Sequence, residues 1–584
     1  MLLATYQPDI RSINDSLTAS ALVAALPLAT LFFLLGALRI TAWISGLIAL
    51  GVAVVVATVG FDMPIDQAAA VGTWGAAFGF FPIMWIVISA IWVYNMTVET
   101  GHFDVLRRSF ATVSDDMRIQ AIVVAFCFGA LMEALAGFGT PVAISAVMLI
   151  ALGFQPIKAA TVALVANTAP VAFGALATPI VTLSKVTTPA NADPAIADHF
   201  TEDHLGALVG RQTPVLAVFV PLVLVVIVDG KRGVRQCWLP ALVGGLTFGV
   251  AQWLTSTHFS VQLTDVVASL VSALAIVGLL RVWKPVETFR ELESEADADG
   301  GGVGRGGRGL GDAAAATDQS AAPGGVVAAE SSAVSTDTDT RADVARAYAP
   351  YLVIIAIFSI FQIDGVKKEM LKEPWTYLFR WPGLDLVTAS GKPPADFTFN
   401  WLAAAGTLTI IAGLITIPII GIRPAAAARA YVKTYRQLAP AIVTVMAVLA
   451  LAYVMNNSGQ TGALGNWLAS AGSGFALLSP ILGWLGVAVT GSDTSSNSLF
   501  GALQVTAGQQ AGLDPSLMAA SNSSGGVLGK MISPQNLAIA AGAVGMTGRE
   551  GDIFRKVVGW SVLMLVGMCL LVWLQTNALE WMLP

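Results

Sequence analysis

Charge is what this sequence has least of. Only 12% of its 584 residues are Asp, Glu, Lys or Arg, against roughly 25% in soluble proteins. Hydrophobic residues make up 55% and mean hydropathy is +0.73, which excludes an ordinary water-soluble globule. Cysteine is scarce: Cys127, Cys237 and Cys569 stand far apart in apolar sequence. They lack the paired spacing of a metal or redox site and read as small core residues. The four histidines fall in or beside loops; His199 and His204, with Asp198 and Asp203, read as a solvated loop. No P-loop and no Gly-rich phosphate motif occurs, so ATP-driven transport has no support. No nucleophile-base or His/Asp/Cys cluster argues for an enzyme. Nothing calls for a cofactor, a metal or a nucleic-acid partner.

What is present is a succession of apolar windows of about 20 residues, long enough to cross a bilayer as helices. The runs are continuous rather than alternating, which argues against a β-barrel. Spans are expected near 18–38, 41–59, 75–96, 206–228, 237–256, 265–283, 350–366, 399–421, 439–456 and 557–577. Between them lie two pairs of short apolar arms, 119–137 with 139–153 and 476–490 with 495–512. Each pair precedes a segment broken by Gly and Pro, 157–185 and 514–548. Residues 1–16 are polar and the first apolar run has no clear cleavage site, so no cleaved signal peptide is expected. Formal net charge is −6, but residues 291–346 alone hold 11 acidic side chains against four arginines. That Gly-rich, low-complexity stretch is expected to be a disordered cytoplasmic linker.

Lys and Arg cluster in four loops, marked by Arg107, Arg108 and Arg118; by Lys231, Arg232 and Arg235; by Arg423, Arg429, Lys433 and Arg436; and by Arg549, Arg555 and Lys556. Such loops are cytoplasmic. Loops 60–73, 186–205, 257–263 and 457–475 have neither residue and fall on the other side; loop 367–398 is mixed. The first pair of arms then enters from the cytoplasm and the second from outside.

The two halves also match in sequence. With Asn167 set on Asn522, Thr168 meets Ser523, Gly174 meets Gly529 and Pro179 meets Pro534; upstream, Gly153-Phe-Gln-Pro156 answers Gly512-Leu-Asp-Pro515. A four-residue gap, about one helical turn, keeps the face presented. The expected fold is an all-α polytopic membrane protein of about 12 transmembrane helices plus two re-entrant hairpins, in two inverted-topology repeats. Residues 1–230 form the first repeat, 231–290 connecting helices, 291–346 the linker, and 347–584 the second, inverted repeat.

A small organic anion crossing hydrocarbon needs hydrogen-bond donors and a partner for its charge. Helix ends exposed by mid-membrane breaks supply free N–H groups and a positive dipole end. Gly137-Phe138-Gly139-Thr140-Pro141 and the run Thr490-Gly-Ser-Asp-Thr-Ser-Ser-Asn497 suit such breaks, and polar groups this dense in apolar sequence need a cavity to face. Ionisable residues inside spans are functional candidates: Glu133 and Asp493 to take up and release a proton, Lys530 to neutralise a substrate carboxylate. Arg211 and Lys185 lie near span ends and read as snorkelling.

At these motifs the chain resembles the L-lactate permease family. The matching runs are Ala136-Gly-Phe-Gly-Thr-Pro-Val-Ala-Ile144, Ala166-Asn-Thr-Ala-Pro-Val-Ala-Phe-Gly174, Thr490-Gly-Ser-Asp-Thr-Ser-Ser-Asn497 and Ser524-Gly-Gly-Val-Leu-Gly-Lys-Met-Ile-Ser-Pro-Gln535. The resemblance covers roughly 15–285 and 348–580. It implies proton-coupled uptake of L-lactate, with glycolate and related 2-hydroxymonocarboxylates as relatives' substrates. Ala134-Leu135 and Leu528 depart from the family pattern beside the site, which bears on the choice of substrate. Thr140, Asn167, Thr168, Ser492, Thr494, Ser495, Ser496, Asn497, Asn522, Ser523, Ser524 and Lys530 are expected to bind substrate, with Glu133 and Asp493 coupling protons, in a multi-pass protein of the cytoplasmic membrane. Sodium coupling and an anion channel stay open as alternatives.

Overall fold

The structure is a computed structural model that describes residues 6–137, 139–188, 197–290, 339–361, 363–387 and 396–584. It is helical almost throughout, the one sheet among the described residues being the two short strands Tyr377–Phe379 and Phe397–Phe399. Nine described helices are long and apolar enough to cross a membrane, or ten if the bent pair Pro156–Ala166 and Val171–Thr187 counts as one span. The count falls below the expected twelve for a geometric reason. Glu202–His258 runs on for 57 residues, yet its backbone breaks at Asp229 and Gly230, so the spans expected at 206–228 and 237–256 merge. Thr264–Leu280 and Ala405–Ile419 are apolar but short. The residues 291–338 expected to be a linker lie outside those described, whereas 341–346 open the helix Arg341–Phe361.

Outward faces are apolar. On Val220–His258, Trp238, Leu242, Leu246, Val250 and Trp253 are all exposed, recurring at about one turn. That stripe is the signature of a helix facing lipid rather than water.

Hydrogen bonds between loops sort the two sides. Tyr6 Oη donates to the carbonyls of Phe61 and Ser458, Val387 N donates to Tyr6 O, and Lys367 pairs with Asp203 at 2.8 Å. The mixed loop at 367–398 therefore shares a side with the loops that lack Lys and Arg. On the opposite side Arg118 is fully buried, paired with Asp116 at 2.7 Å and Asp229 at 2.9 Å, and donates to the Glu287 carbonyl. Arg118 was expected to mark a loop; it pins the start of Met117–Ala136 to the break at 229–230. Arg108 grips Asp339 through two hydrogen bonds, which hold that half-buried carboxyl below its ordinary range. Arg429, Lys433 and Arg436, expected in a loop, lie on the first turns of Pro424–Ser458, because the run of alanines from Ala425 favours helix.

Two helical hairpins form the centre. The first joins Met117–Ala136, wholly buried, to Thr140–Ala151; the second joins Phe475–Thr490 to Asp493–Gln510. Gly137, Gly139 and Gly491 carry positive φ at the tips, where a Cβ would add strain. Lys158, just past the first hairpin, donates to the carbonyl of Val228, so both ends of that hairpin lie on the Arg-rich side. Packing is reciprocal. Leu17–Ala24 lies on Gln460–Leu468, and Arg341–Phe361 lies on His102–Ala111; Gly174–Thr187 lies on Asp493–Gln510, and Pro534–Ala543 lies on Thr140–Ala151.

Close backbone contact holds the second hairpin to Pro515–Gly529. A Cβ on Gly525 would stand 2.6 Å from Pro480 Cα, and one on Gly483 2.7 Å from the Asn522 carbonyl carbon. Small residues permit such approach where no hydrophobic drive separates helix from lipid. Gly525→Val is expected to cost at least the roughly 1–3 kcal/mol of overpacking. It should show as a lower melting temperature of the purified protein; unchanged melting would deny the contact.

Candidate functional site

The first broken helix stops at Ala166, passes through 167–170 and a short 3-10 turn, and bends by 64° before Thr187. Ala175, Leu176 and Ala177 then make a left-handed turn with φ of 45°, 53° and 58°. Non-glycine residues hold that conformation at about 1–2 kcal/mol each, and such strain gathers at functional sites. The regular helix resumes at Thr178, whose hydroxyl donates to Ala175 O at 2.5 Å. The second interrupted helix runs Pro515–Gly529, turns through Lys530–Ile532 and restarts as Pro534–Ala543, capped by Ser533.

These breaks bring two charged side chains together. Lys530 Nζ lies 2.5 Å from Glu133 Oε1, both side chains buried. Gly174 makes room: a Cβ there would stand 2.8 Å from the same oxygen. Glu133 Oε2 has no partner among the described residues. The Lys530 carbonyl accepts from Ser533 Oγ and Asn536 Nδ2, fixing the turn that aims the ammonium group.

Asp493 opens the second arm of the second hairpin, after the Ser492 cap. Its Oδ2 accepts from Ser523 Oγ at 2.5 Å and from Asn497 Nδ2 at 3.5 Å, while Oδ1 is unpartnered. Asn497 Nδ2 also donates to the carbonyl of Pro179 at 3.1 Å, tying this hairpin to the restart of the first broken helix. Asn522 donates to Asn497 Oδ1 at 2.9 Å and accepts from Gln504 Nε2 at 3.2 Å. Gln504 accepts in turn from Ser479 Oγ, which bonds Ser521.

A cavity of about 2670 Å³ reaches these groups. Its wall includes Glu133, Thr140, Thr178, Ser492, Asp493, Thr494, Ser495 and Lys530, and its outer part Arg39, Arg107, Arg108 and Lys433. It therefore opens on the Arg-rich side. The expected residues divide in two. Glu133, Thr140, Ser492, Asp493, Thr494, Ser495 and Lys530 line this one space. Asn167, Thr168, Ser496, Asn497, Asn522, Ser523 and Ser524 do not line it and are buried. Thr168 Oγ1 bonds back to Val165 O, and Ser524 Oγ has no partner. Asn522 sits inside Pro515–Gly529 rather than at its break, and no hydrogen bond joins it to Asn167, whose amide atoms have no partner among the described residues. Lys185 lies 3.9 Å from Glu202, while Arg211 Nη1 is buried without a partner.

Sequence reasoning missed Gln504, Ser479 and Asn536, which orient the polar layer behind the cavity. Gln504 did carry a signal, as an amide set among apolar neighbours, Leu499 to Leu503 on one side and Val505 on the other, within the arm expected at 495–512.

The geometry stands beside known proteins as follows. The family model described as L-lactate permease matches residues 20–579. An L-lactate permease of Salmonella typhi is 38% identical, covering 97% of each chain, and one of Bacillus subtilis is 38% identical, covering 98% of each. The glycolate permease GlcA of Escherichia coli K12 is 39% identical over 93% of both chains. Among solved structures, the Alcanivorax borkumensis YdaH transporter aligns with 84% of each chain at 14% identity and a TM-score of 0.40, too distant to assign the fold. With a match that spans nearly the whole chain and relatives of the same length, this chain belongs to the L-lactate permease family.

Proposed function

We propose that this chain is a secondary transporter that takes up L-lactate, and related 2-hydroxymonocarboxylates such as glycolate, by proton symport across the cell membrane. The observation that carries the reading is the buried Lys530–Glu133 pair on the wall of a large cavity. A buried ion pair is a poor source of stability but a sensitive one, since removing either partner strands a charge. A substrate carboxylate arriving at Lys530 takes the place of Glu133. The displaced carboxylate is left in a desolvated setting without its counter-ion, and a proton neutralises it. Substrate and proton then cross together because each removes the penalty the other would meet alone. Thr140 and the hydroxyls of Ser492, Thr494 and Ser495 face the same space and suit the substrate's hydroxyl and carboxylate oxygens. Asp493 is the second proton-coupling group.

The proposed architecture is two inverted-topology repeats with re-entrant hairpins, 1–230 and 347–584, joined by 231–290. Reciprocal packing of first helices on short surface helices, and of each broken helix's second half on the other repeat's hairpin, supports it. Both ends of the first hairpin lie on the Arg-rich side, as a re-entrant loop requires. With that side cytoplasmic, the cavity faces inward. The names of the relatives, L-lactate permease and glycolate permease, support the substrate class.

The test is radiolabelled L-lactate uptake into proteoliposomes under an imposed inward proton gradient. Accumulation that collapses with a protonophore is expected. Uptake that does not saturate and shows no counterflow would make the protein a channel instead.

A further inference from the structure

A third carboxyl group with one oxygen unused is buried away from the cavity. Asp265, in the first turn of Thr264–Leu280, is fully buried. Its Oδ1 accepts from Gln252 Nε2 at 2.9 Å, and the same nitrogen donates to the Ala169 carbonyl at 3.2 Å. Thr213 Oγ1 donates to Gln252 Oε1 at 3.4 Å, which fixes the amide's orientation. Asp265 Oδ2 has no partner among the described residues. Ala169 belongs to the break of the first broken helix, close to Asn167, whose buried Oδ1 and Nδ2 also lack partners.

Of the titratable groups on the elements packed against this helix, Glu133 is the one that bears on the charge of Asp265, and it is a second acid already held by Lys530. Cys127 bonds Ser272, and Lys185 and His258 stand near the ends of their helices. Among the described residues no cation compensates Asp265, and a bare carboxylate so placed is costly. Hard oxygen ligands beside an unwound stretch of membrane helix suit a small monovalent cation.

We propose that Asp265 is a monovalent-cation site, taking a proton or a sodium ion on Oδ2, and that Gln252 relays its occupancy to the break at Ala169. The site rests on the symport reading and adds a coupled ion to the one assigned to Glu133 and Asp493. In proteoliposomes, the charge moved per L-lactate is read from the reversal potential for wild type and Asp265→Asn. The variant is expected to move one positive charge fewer. Two arms name the ion: sodium replaced by choline at fixed pH, and pH varied without sodium. The ion whose imposed gradient shifts the reversal potential more in wild type than in the variant is the one that Asp265 takes. Equal charge per lactate with equal ion dependence overturns the site.

Melting of the purified wild-type protein supplies a readout that needs no transport, since a bound cation stabilises the folded state. If Asp265→Asn does not fold, Gln252→Leu is measured in its place. It should raise the cation concentration that half-saturates the melting shift by about tenfold, as loss of a ligand's orienting partner does. A wild-type protein whose melting ignores both ions overturns the site. Wild type that moves no lactate overturns the symport reading alone.

Discussion

Lys530→Met is expected to abolish L-lactate uptake and to lower stability by about 3–5 kcal/mol, the cost of stranding one partner of a buried ion pair. Glu133 is the stranded partner: its Oε1 bonds Lys530 and its Oε2 bonds nothing. Glu133→Gln with Lys530→Met removes both charges while roughly keeping the volumes, so it should recover most of the lost stability. Uptake should stay lost, because no cation remains to meet the carboxylate. Stability is read from thermal or denaturant melting in detergent, and the double-mutant cycle gives the coupling between the two residues. Two results would count against the scheme. Recovery of uptake in the double variant would show that substrate needs no cation at this position. Full stability of Lys530→Met alone would mean that Glu133 is already neutral, and the ion pair would lose its place in coupling.

Much of the frame was legible because membrane crossing is a demand on composition. Continuous apolar runs, Gly and Pro breaks, and the placement of arginines can be read without coordinates. The pairing of Glu133 with Lys530 could not. Each residue stood out as an ionisable group in apolar sequence, but nothing local relates positions so far apart in the chain. Matching Asn167 to Asn522 by sequence offset set a helix end against a helix interior, since the second interruption comes only at Lys530. The short helices His102–Ala111 and Gln460–Leu468 were hidden in stretches read as loops. The first of them shows why: Phe103, Leu106 and Phe110 turn inward and Asp104, Arg107 and Arg108 do not, so its hydropathy averages out. Asp265 escaped notice because it lies next to a loop and only the fold buries it.

The two asparagines should separate when each is changed to alanine. Asn522→Ala leaves the buried Asn497 Oδ1 without its donor, at about 1–3 kcal/mol, and takes one of two acceptors from Gln504 Nε2, which keeps the Ser479 carbonyl. That variant should melt early, and what remains folded should bind L-lactate with near-normal KM, because Asn522 lies behind the cavity wall rather than on it. Asn167→Ala breaks no hydrogen bond and removes two buried polar atoms that have no partner, so its melting should equal or exceed that of wild type. Its transport should fall about tenfold or more if the amide meets substrate or ion, the size of one or two lost hydrogen bonds. Melting curves and uptake kinetics on the same preparations decide the matter. Wild-type kinetics for Asn167→Ala would take that residue out of the binding set. A raised KM with normal melting for Asn522→Ala would bring the buried network itself into contact with the substrate. The opposed outcomes follow from one difference: the Asn522 amide has its partners within the protein, and the buried Asn167 amide has none among the described residues.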